Sequence, residues 1–227
     1  GSPLTRADLA SHRIIVDKLE QGGTEFPVIS EESWEESDET LNYDSYWLVD
    51  PLDGTKEFIK GLDEFTVNIA FVRNNKPVAG VIYLPATQVL YYAKADEGAF
   101  KRDSEGNETP LCPGTGQASS TAVVSRSHMS EDTEEFLAKL GIQTTIARGS
   151  SLKMCAVAEG EAAIYPRFGP TCYWDTAAGA AIADVAGCQV VDKSGNPICY
   201  DLSDGIKHSG FVVYNPAICD PVKFLKE

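Results

Sequence analysis

The run Trp47-Leu48-Val49-Asp50-Pro51-Leu52-Asp53-Gly54-Thr55-Lys56-Glu57-Phe58 holds the densest chemistry in this 227-residue chain. An apolar strand runs into an acid, and Pro51, with no N–H to donate, is expected to stop the ladder there. A second acid follows before Gly54-Thr55 leads into a helix. Such a turn can point the Asp50 and Asp53 carboxylates and the Leu52 carbonyl at one spot off the strand end. Hard divalent cations take oxygen ligands of this kind, and magnesium in particular binds one or two carboxylates plus a substrate phosphate. Free N–H groups at Gly54-Thr55 would add an anion site, so that cation and phosphate meet in one place. The same residues also read as an Asp/Gly turn with Asp53 as a helix cap, and both readings stay open on this motif alone.

Three further acids stand where elements begin or end. Glu31 follows the strand-like Val28-Ile29-Ser30 but lies in an acidic stretch with Glu32, Glu35, Glu36, Asp38 and Glu39, where a surface charge is the plainer reading. Asp8 fits the reciprocal member of a capping box opened by Thr5. Asp175 suits the first turn of a helix, where a negative charge is favourable. Basic and hydroxyl residues gather later, in Ser125-Arg126-Ser127-His128, Gly149-Ser150-Ser151-Leu152-Lys153 and Tyr165-Pro166-Arg167. They suit a second phosphate or a ribose, and equally the surface ion pairs of an acidic protein.

The elements expected to position these groups are a mixture of α and β. A helix is predicted from Thr5 to about Glu20, with Leu9, Val16 and Leu19 on one side and Gly22-Gly23 ending it. Strand-like runs follow at Pro27 to Ser30, Tyr46 to Val49, Thr66 to Arg73, Val78 to Tyr83 and Val89 to Ala93. The polar, Gly/Pro-bearing stretch Cys112 to Ser120 predicts a connection between an N-terminal α+β subdomain, residues 1–118, and a C-terminal α/β subdomain, residues 119–227. Beyond it a strand at Thr121 to Val124, a helix from Glu131 to Leu140 and an Ala-rich helix from Trp174 to Ala186 are expected, with Gly187 just past the helix end.

Composition narrows the function classes. A net charge of −15, from 34 acids against 19 Lys plus Arg, argues against a nucleic acid polymer or an anionic membrane as partner. No apolar run approaches the roughly 18–20 residues of a membrane helix, and the opening residues lack a signal-peptide layout, so a cytoplasmic protein is expected, or one peripheral at the inner membrane. The six cysteines are scattered without a zinc-like spacing and read as reduced, mostly buried residues. The chain opens in a loop directly before a helix, which predicts a native segment in front of it.

Taken in order, Ser30-Glu31-Glu32, Asp50-Pro51-Leu52-Asp53-Gly54-Thr55 and Trp174-Asp175-Thr176-Ala177-Ala178-Gly179 resemble the inositol monophosphatase superfamily over nearly the whole chain. Lys56-Glu57-Phe58-Ile59, then Glu64-Phe65-Thr66-Val67-Asn68-Ile69-Ala70, look like the 3'(2'),5'-bisphosphate nucleotidases of bacterial sulfate assimilation, where inositol monophosphatases have Thr-Asn-Phe after the Asp-Gly-Thr. The resemblance implies a layered α-β-α-β-α sandwich and a magnesium-dependent phosphatase acting on 3'-phosphoadenosine 5'-phosphate, or on its sulfated analogue. It implies one magnesium on Glu31, Asp50 and the Leu52 carbonyl, a second on Asp50, Asp53 and Asp175, and a third, weaker one leaning on Glu31. Asp8 and Thr55 match the pair that activates the attacking water, with Glu31 counted among the catalytic residues. Asp53, Gly54, Thr55 and Asp175 would meet the scissile phosphate, and His128, Ser150, Lys153 and Arg167 the nucleoside and its 5'-phosphate. Lithium would inhibit by replacing magnesium. The family's first helix and the loop after it have no counterpart at the start of this chain. An inositol phosphatase and a non-catalytic metal or phosphonucleotide binder are the competing readings; oligomeric state is left open.

Overall fold

The computed structural model describes residues 4–23, 25–35, 41–114, 120–126 and 129–225. Helix α1 (Arg6–Gln21) is followed by β1 (Val28–Ser30), β2 (Ser45–Asp53), the one-turn helix α2 (Thr55–Ile59), and β3 (Thr66–Arg73), β4 (Lys76–Leu84), β5 (Val89–Lys94), β6 (Gly98–Arg102) and β7 (Glu108–Pro110). These seven strands form one sheet in chain order, with β1 parallel to β2 and every later neighbour antiparallel. Next come β8 (Thr121–Ser125), α3 (Glu131–Lys139), β9 (Thr144–Arg148), α4 (Leu152–Ala158), β10 (Ile164–Arg167), β11 (Thr171–Cys172), α5 (Tyr173–Ala186), β12 (Gln189–Asp192), β13 (Lys207–His208), β14 (Phe211–Tyr214) and α6 (Val222–Leu225). A five-stranded sheet runs in the order β12-β14-β10-β8-β9, and β11 pairs with β13 in a small ribbon. No helix among the described residues is long and apolar enough to cross a membrane.

Helix α5 explains why the two sheets stack. Its residues from Tyr173 to Ala183 are buried apart from Asp175, as expected of a helix enclosed on all sides. It lies on β3, β4 and β5 of the first sheet, meets β12 of the second, and packs against α4. Ala and Gly let it approach closely: a side chain at Gly80 of β4 would come within 2.5 Å of the Ala178 carbonyl oxygen. On the outer face of the second sheet, Phe136 and Leu137 of α3 join Ala122, Val124, Ile164 and Val212 in a separate apolar cluster. With α1 against β2, the layers read α-β-α-β-α.

Several expectations are corrected. Pro51 does not end β2: pairing lapses after Asp50↔Asn68 and resumes at Asp53↔Thr66, so the missing N–H produces an irregularity that the strand crosses. Helix α1 does not rest on a side made of Leu9, Val16 and Leu19. Leu9 is exposed, Asp8 is the one buried residue of the helix, and Ser11 and His12 hydrogen-bond to Pro51 O and Ser30 Oγ, each at 2.9 Å. Of the six free cysteines, Cys155 and Cys188 are buried, whereas Cys112 and Cys199 are exposed. Much of the expected connection, residues 115–119, lies outside the described residues.

Candidate active site

Asp50 enters from the inner part of β2, is 1% exposed, and accepts the Leu52 N–H at 2.9 Å through Oδ1. Parallel pairing of Ser30 with Val49 brings the 3-10 turn Glu31–Ser33, and with it Glu31, beside this strand end. Asp175 comes from the other half of the chain, in the first turn of α5. Its Oδ2 accepts the Thr171 hydroxyl at 2.7 Å and the Cys172 N–H at 3.1 Å, which makes it the helix's own cap as well. One oxygen from each of Glu31, Asp50 and Asp175 lies within 4.8 Å of the others. Asp53 stands outside that trio but borders the same cavity of about 220 Å³, with the Leu52, Gly54 and Thr55 residues.

The cluster is electrostatically unfinished. Burial, and then the charges of Asp53, Asp175 and Glu31, push the Asp50 carboxyl well above the usual range. Burial followed by Asp175, Glu32 and Asp53 pushes Glu31 up to about 7. Asp175 is raised to about 6 by burial and Asp53, against the pull of its two hydrogen bonds and Arg167. Hard oxygen donors converging with this much mutual repulsion fit a divalent cation, which would supply the missing positive charge.

Thr55 Oγ1 sits 3.4 Å from Asp8 Oδ1 and 3.3 Å from Leu52 O, and both Asp8 and Thr55 are buried. Asp8 also closes the predicted capping box with Thr5, so the two readings of this acid coexist. Gly54, not Asp53, is the N-cap of α2, with a left-handed φ of 88° that suits glycine. The Asp53 carboxylate turns elsewhere, accepting the Ser151 hydroxyl at 3.0 Å. Ser151 in turn accepts from Asn68 Nδ2 at 2.8 Å.

A cleft of about 520 Å³ adjoins the acidic cavity, sharing Asp53, Gly54, Lys56, Glu57 and Asp175 with it. Its other cations are Lys60, Arg126, Arg148, Lys153 and Arg167. Lys153 is only 5% exposed, donates to Ser150 O at 2.5 Å, and lies 5.5 Å from the Tyr165 ring centroid. Arg167 donates to Pro170 O at 3.0 Å. The Ser150 hydroxyl is held by two carbonyls, Glu64 O at 2.8 Å and Asp53 O at 3.0 Å. The chain thus brings Ser150, Lys153 and Arg167 to one cleft beside the acids, while His128 lies outside the described residues. Sequence reasoning missed Asn68, Thr171, Lys60, Arg148 and the role of Glu64. Asn68 alone carried a signal, as a polar residue at an inward position of an alternating strand.

Comparison with known proteins identifies the family. The inositol monophosphatase family model matches residues 1–220, and the chain belongs to that family. Within it, the chain is 46% identical over 213 residues to the 3'(2'),5'-bisphosphate nucleotidase CysQ of Shigella flexneri, covering 94% of this chain and 85% of that one. It is 45% identical over 218 residues to the CysQ of Salmonella typhimurium, covering 93% and 85%. Among solved structures, CysQ from Bacteroides thetaiotaomicron, a bacterial member of the inositol monophosphatase family, superposes with a TM-score of 0.84 at 41% identity, over 95% of this chain and 85% of that one.

Proposed function

We propose that this protein is a 3'(2'),5'-bisphosphate nucleotidase that hydrolyses the 3'-phosphate of 3'-phosphoadenosine 5'-phosphate to AMP and phosphate in sulfur assimilation, the sulfated analogue being a second substrate. The observation that carries this reading is that an acidic cavity suited to a cation opens into a cleft lined with Lys and Arg. A substrate with two phosphates can place one at each end. The similarity to the CysQ nucleotidases supports the same substrate.

Glu31, Asp50 and the Leu52 carbonyl are assigned to one Mg2+, Asp50, Asp53 and Asp175 to a second, and Glu31 to a third, weaker one. Bound there, Mg2+ supplies Lewis acidity toward water and phosphoryl oxygens and offsets charge on the leaving oxygen. Asp8 accepts a proton through Thr55 Oγ1 and so orients the water for in-line attack, which needs no covalent enzyme intermediate. The Gly54 and Thr55 backbone meets the scissile phosphate beside Asp53 and Asp175. Ser150, Lys153 and Arg167, with His128, take the nucleoside and its 5'-phosphate. Residues 1–118 on this view supply most metal ligands, and residues 119–227 supply Asp175 and the nucleotide contacts. The cytoplasm, where such a nucleotide would be met, is the proposed location.

Phosphate release from 3'-phosphoadenosine 5'-phosphate, with and without magnesium and beside inositol 1-phosphate, tests the reading. Magnesium-dependent release with preference for the nucleotide is expected. A preference for inositol phosphate would keep the metal site and overturn the substrate.

A further inference from the structure

We infer that Glu64, in the loop between α2 and β3, is a positioning residue that presets the cleft for the phosphate remote from the scissile bond. The inference rests on the nucleotidase reading and adds to it the residue that sets affinity for the second phosphate.

Glu64 belongs to the N-terminal half, yet its side-chain partners come from the C-terminal half. Its Oε1 accepts Arg126 Nη2 at 2.8 Å, and its Oε2 accepts the Gly149 N–H at 2.6 Å. Its own carbonyl accepts the Ser150 hydroxyl at 2.8 Å. One residue thereby holds both a cation of the cleft and two consecutive residues of the loop that leads into α4.

That loop needs holding. Ser150 has φ 45°, a left-handed conformation that costs a non-glycine residue on the order of 1 kcal/mol and persists only where the surroundings enforce it. Gly149 stands so close that a Cβ there would lie 3.0 Å from Glu64 Cβ and from its carbonyl oxygen. The constraint passes onward, because the Ser150 carbonyl receives the buried Lys153 ammonium at 2.5 Å. Arg126 and Lys153 both line the cleft, and both long side chains are anchored at Glu64 or one step from it. Without the Glu64 carboxylate, ordering of Arg126 and of the Gly149-Ser150 turn would have to occur during binding and would weaken it. Asp8, Asp50 and Thr55 make no hydrogen bond to this bracket, and the bonds from Ser150 and Ser151 to Asp53 come from the loop rather than from the Glu64 side chain, so the bond-breaking step should register its loss far less than binding does.

The test compares the full chain with Glu64→Ala and Glu64→Gln, loaded with magnesium, on 3'-phosphoadenosine 5'-phosphate and on 3'-AMP, which lacks the 5'-phosphate. Calorimetric titration of AMP and of adenosine into EDTA-treated protein supplies a readout independent of turnover. Glu64→Ala is expected to raise KM for the bisphosphate about tenfold, the worth of one charge-assisted hydrogen bond, with kcat within about twofold. It should weaken AMP by a similar factor and change 3'-AMP turnover and adenosine binding far less. Glu64→Gln keeps an acceptor for Gly149 N–H and should fall between the two; it carries the test if the alanine variant does not fold. Equal losses on both nucleotides, a loss in kcat alone, or tighter AMP binding once Arg126 is released would each overturn the proposal. Failure of the nucleotidase reading appears separately, in the wild type, as no preference for the bisphosphate over 3'-AMP, and it takes this proposal with it.

Discussion

Acids gathered around one cavity raise the cost of ionising each of them, and Asp50, the most deeply buried, is pushed well above the usual carboxylate range by burial and then by its acidic neighbours. Function and stability should therefore pull in opposite directions at this position. Asp50→Asn is expected to lower magnesium-dependent turnover by roughly 10²–10³-fold or more, while raising the stability of the EDTA-treated protein by about 1 kcal/mol. Steady-state rates and urea midpoints read the two effects, and substantial retained activity would sink the shared-ligand role. Asp50 and Asp53 were legible as candidate cation ligands because two acids at a strand end are limited in what they can do, whereas Asp8 and Thr55 took a catalytic role only from the family resemblance. Ser151 and Thr171 were not legible, because each acts through a carboxylate whose position depends on the fold. Glu64 read as part of a motif, and only the folded chain reveals the loop it brackets.

Elements were legible where one face differs from the other. Strand β3 alternates buried and partly exposed residues and was predicted at its observed limits, Thr66 to Arg73. Helix α4 is buried at all seven positions, so it has no polar face and gives no period. Strands β6 and β7 are short, and β7 is exposed along its length, so neither carries the apolar alternation that marks a strand. Contact between elements was less visible still, and Gly80 is the example. Its missing side chain is what admits the α5 backbone, with the Ala178 Cα and the Ala181 Cβ each 3.0 Å from where a Cβ would sit. Gly80→Ala is expected to destabilise the fold by about 1–3 kcal/mol through overpacking. Because α5 also carries Asp175, magnesium affinity should fall with it. Denaturant unfolding and metal titration check the pair of effects, and an unchanged midpoint would mean that α5 can move away at no cost.

At the scale of the molecule, the halves are joined by an aromatic seam. The Tyr46 hydroxyl of β2 donates to the Tyr200 carbonyl, the Tyr200 N–H donates to Asn75 O at 3.0 Å, and the His208 ring lies 4.4 Å from Tyr173 and 4.9 Å from Tyr200, centroid to centroid. Burial lowers His208 from 6.5 to about 4. The neutral ring is thus favoured in the folded chain. Its contribution, up to about 3 kcal/mol, is present above pH 6.5 and lost as pH falls toward 4. His208→Phe should be as stable as wild type to within about 1 kcal/mol at pH 7, and should lose stability less steeply between pH 6.5 and 4. Equal slopes in the two proteins would place the acid sensitivity elsewhere. The path of α5 between the sheets has a consequence for how such a chain is made. A ribosome releases β3 and β4 well before the helix that covers them, so the nascent chain carries an uncovered apolar sheet face while every element from β5 to β11 is made. Asp175, the last acid of the Glu31-Asp50-Asp175 cluster, emerges on that same helix. A cation that needs all three acids would therefore find its site only after α5 clears the exit tunnel, too late to template β3 and β4.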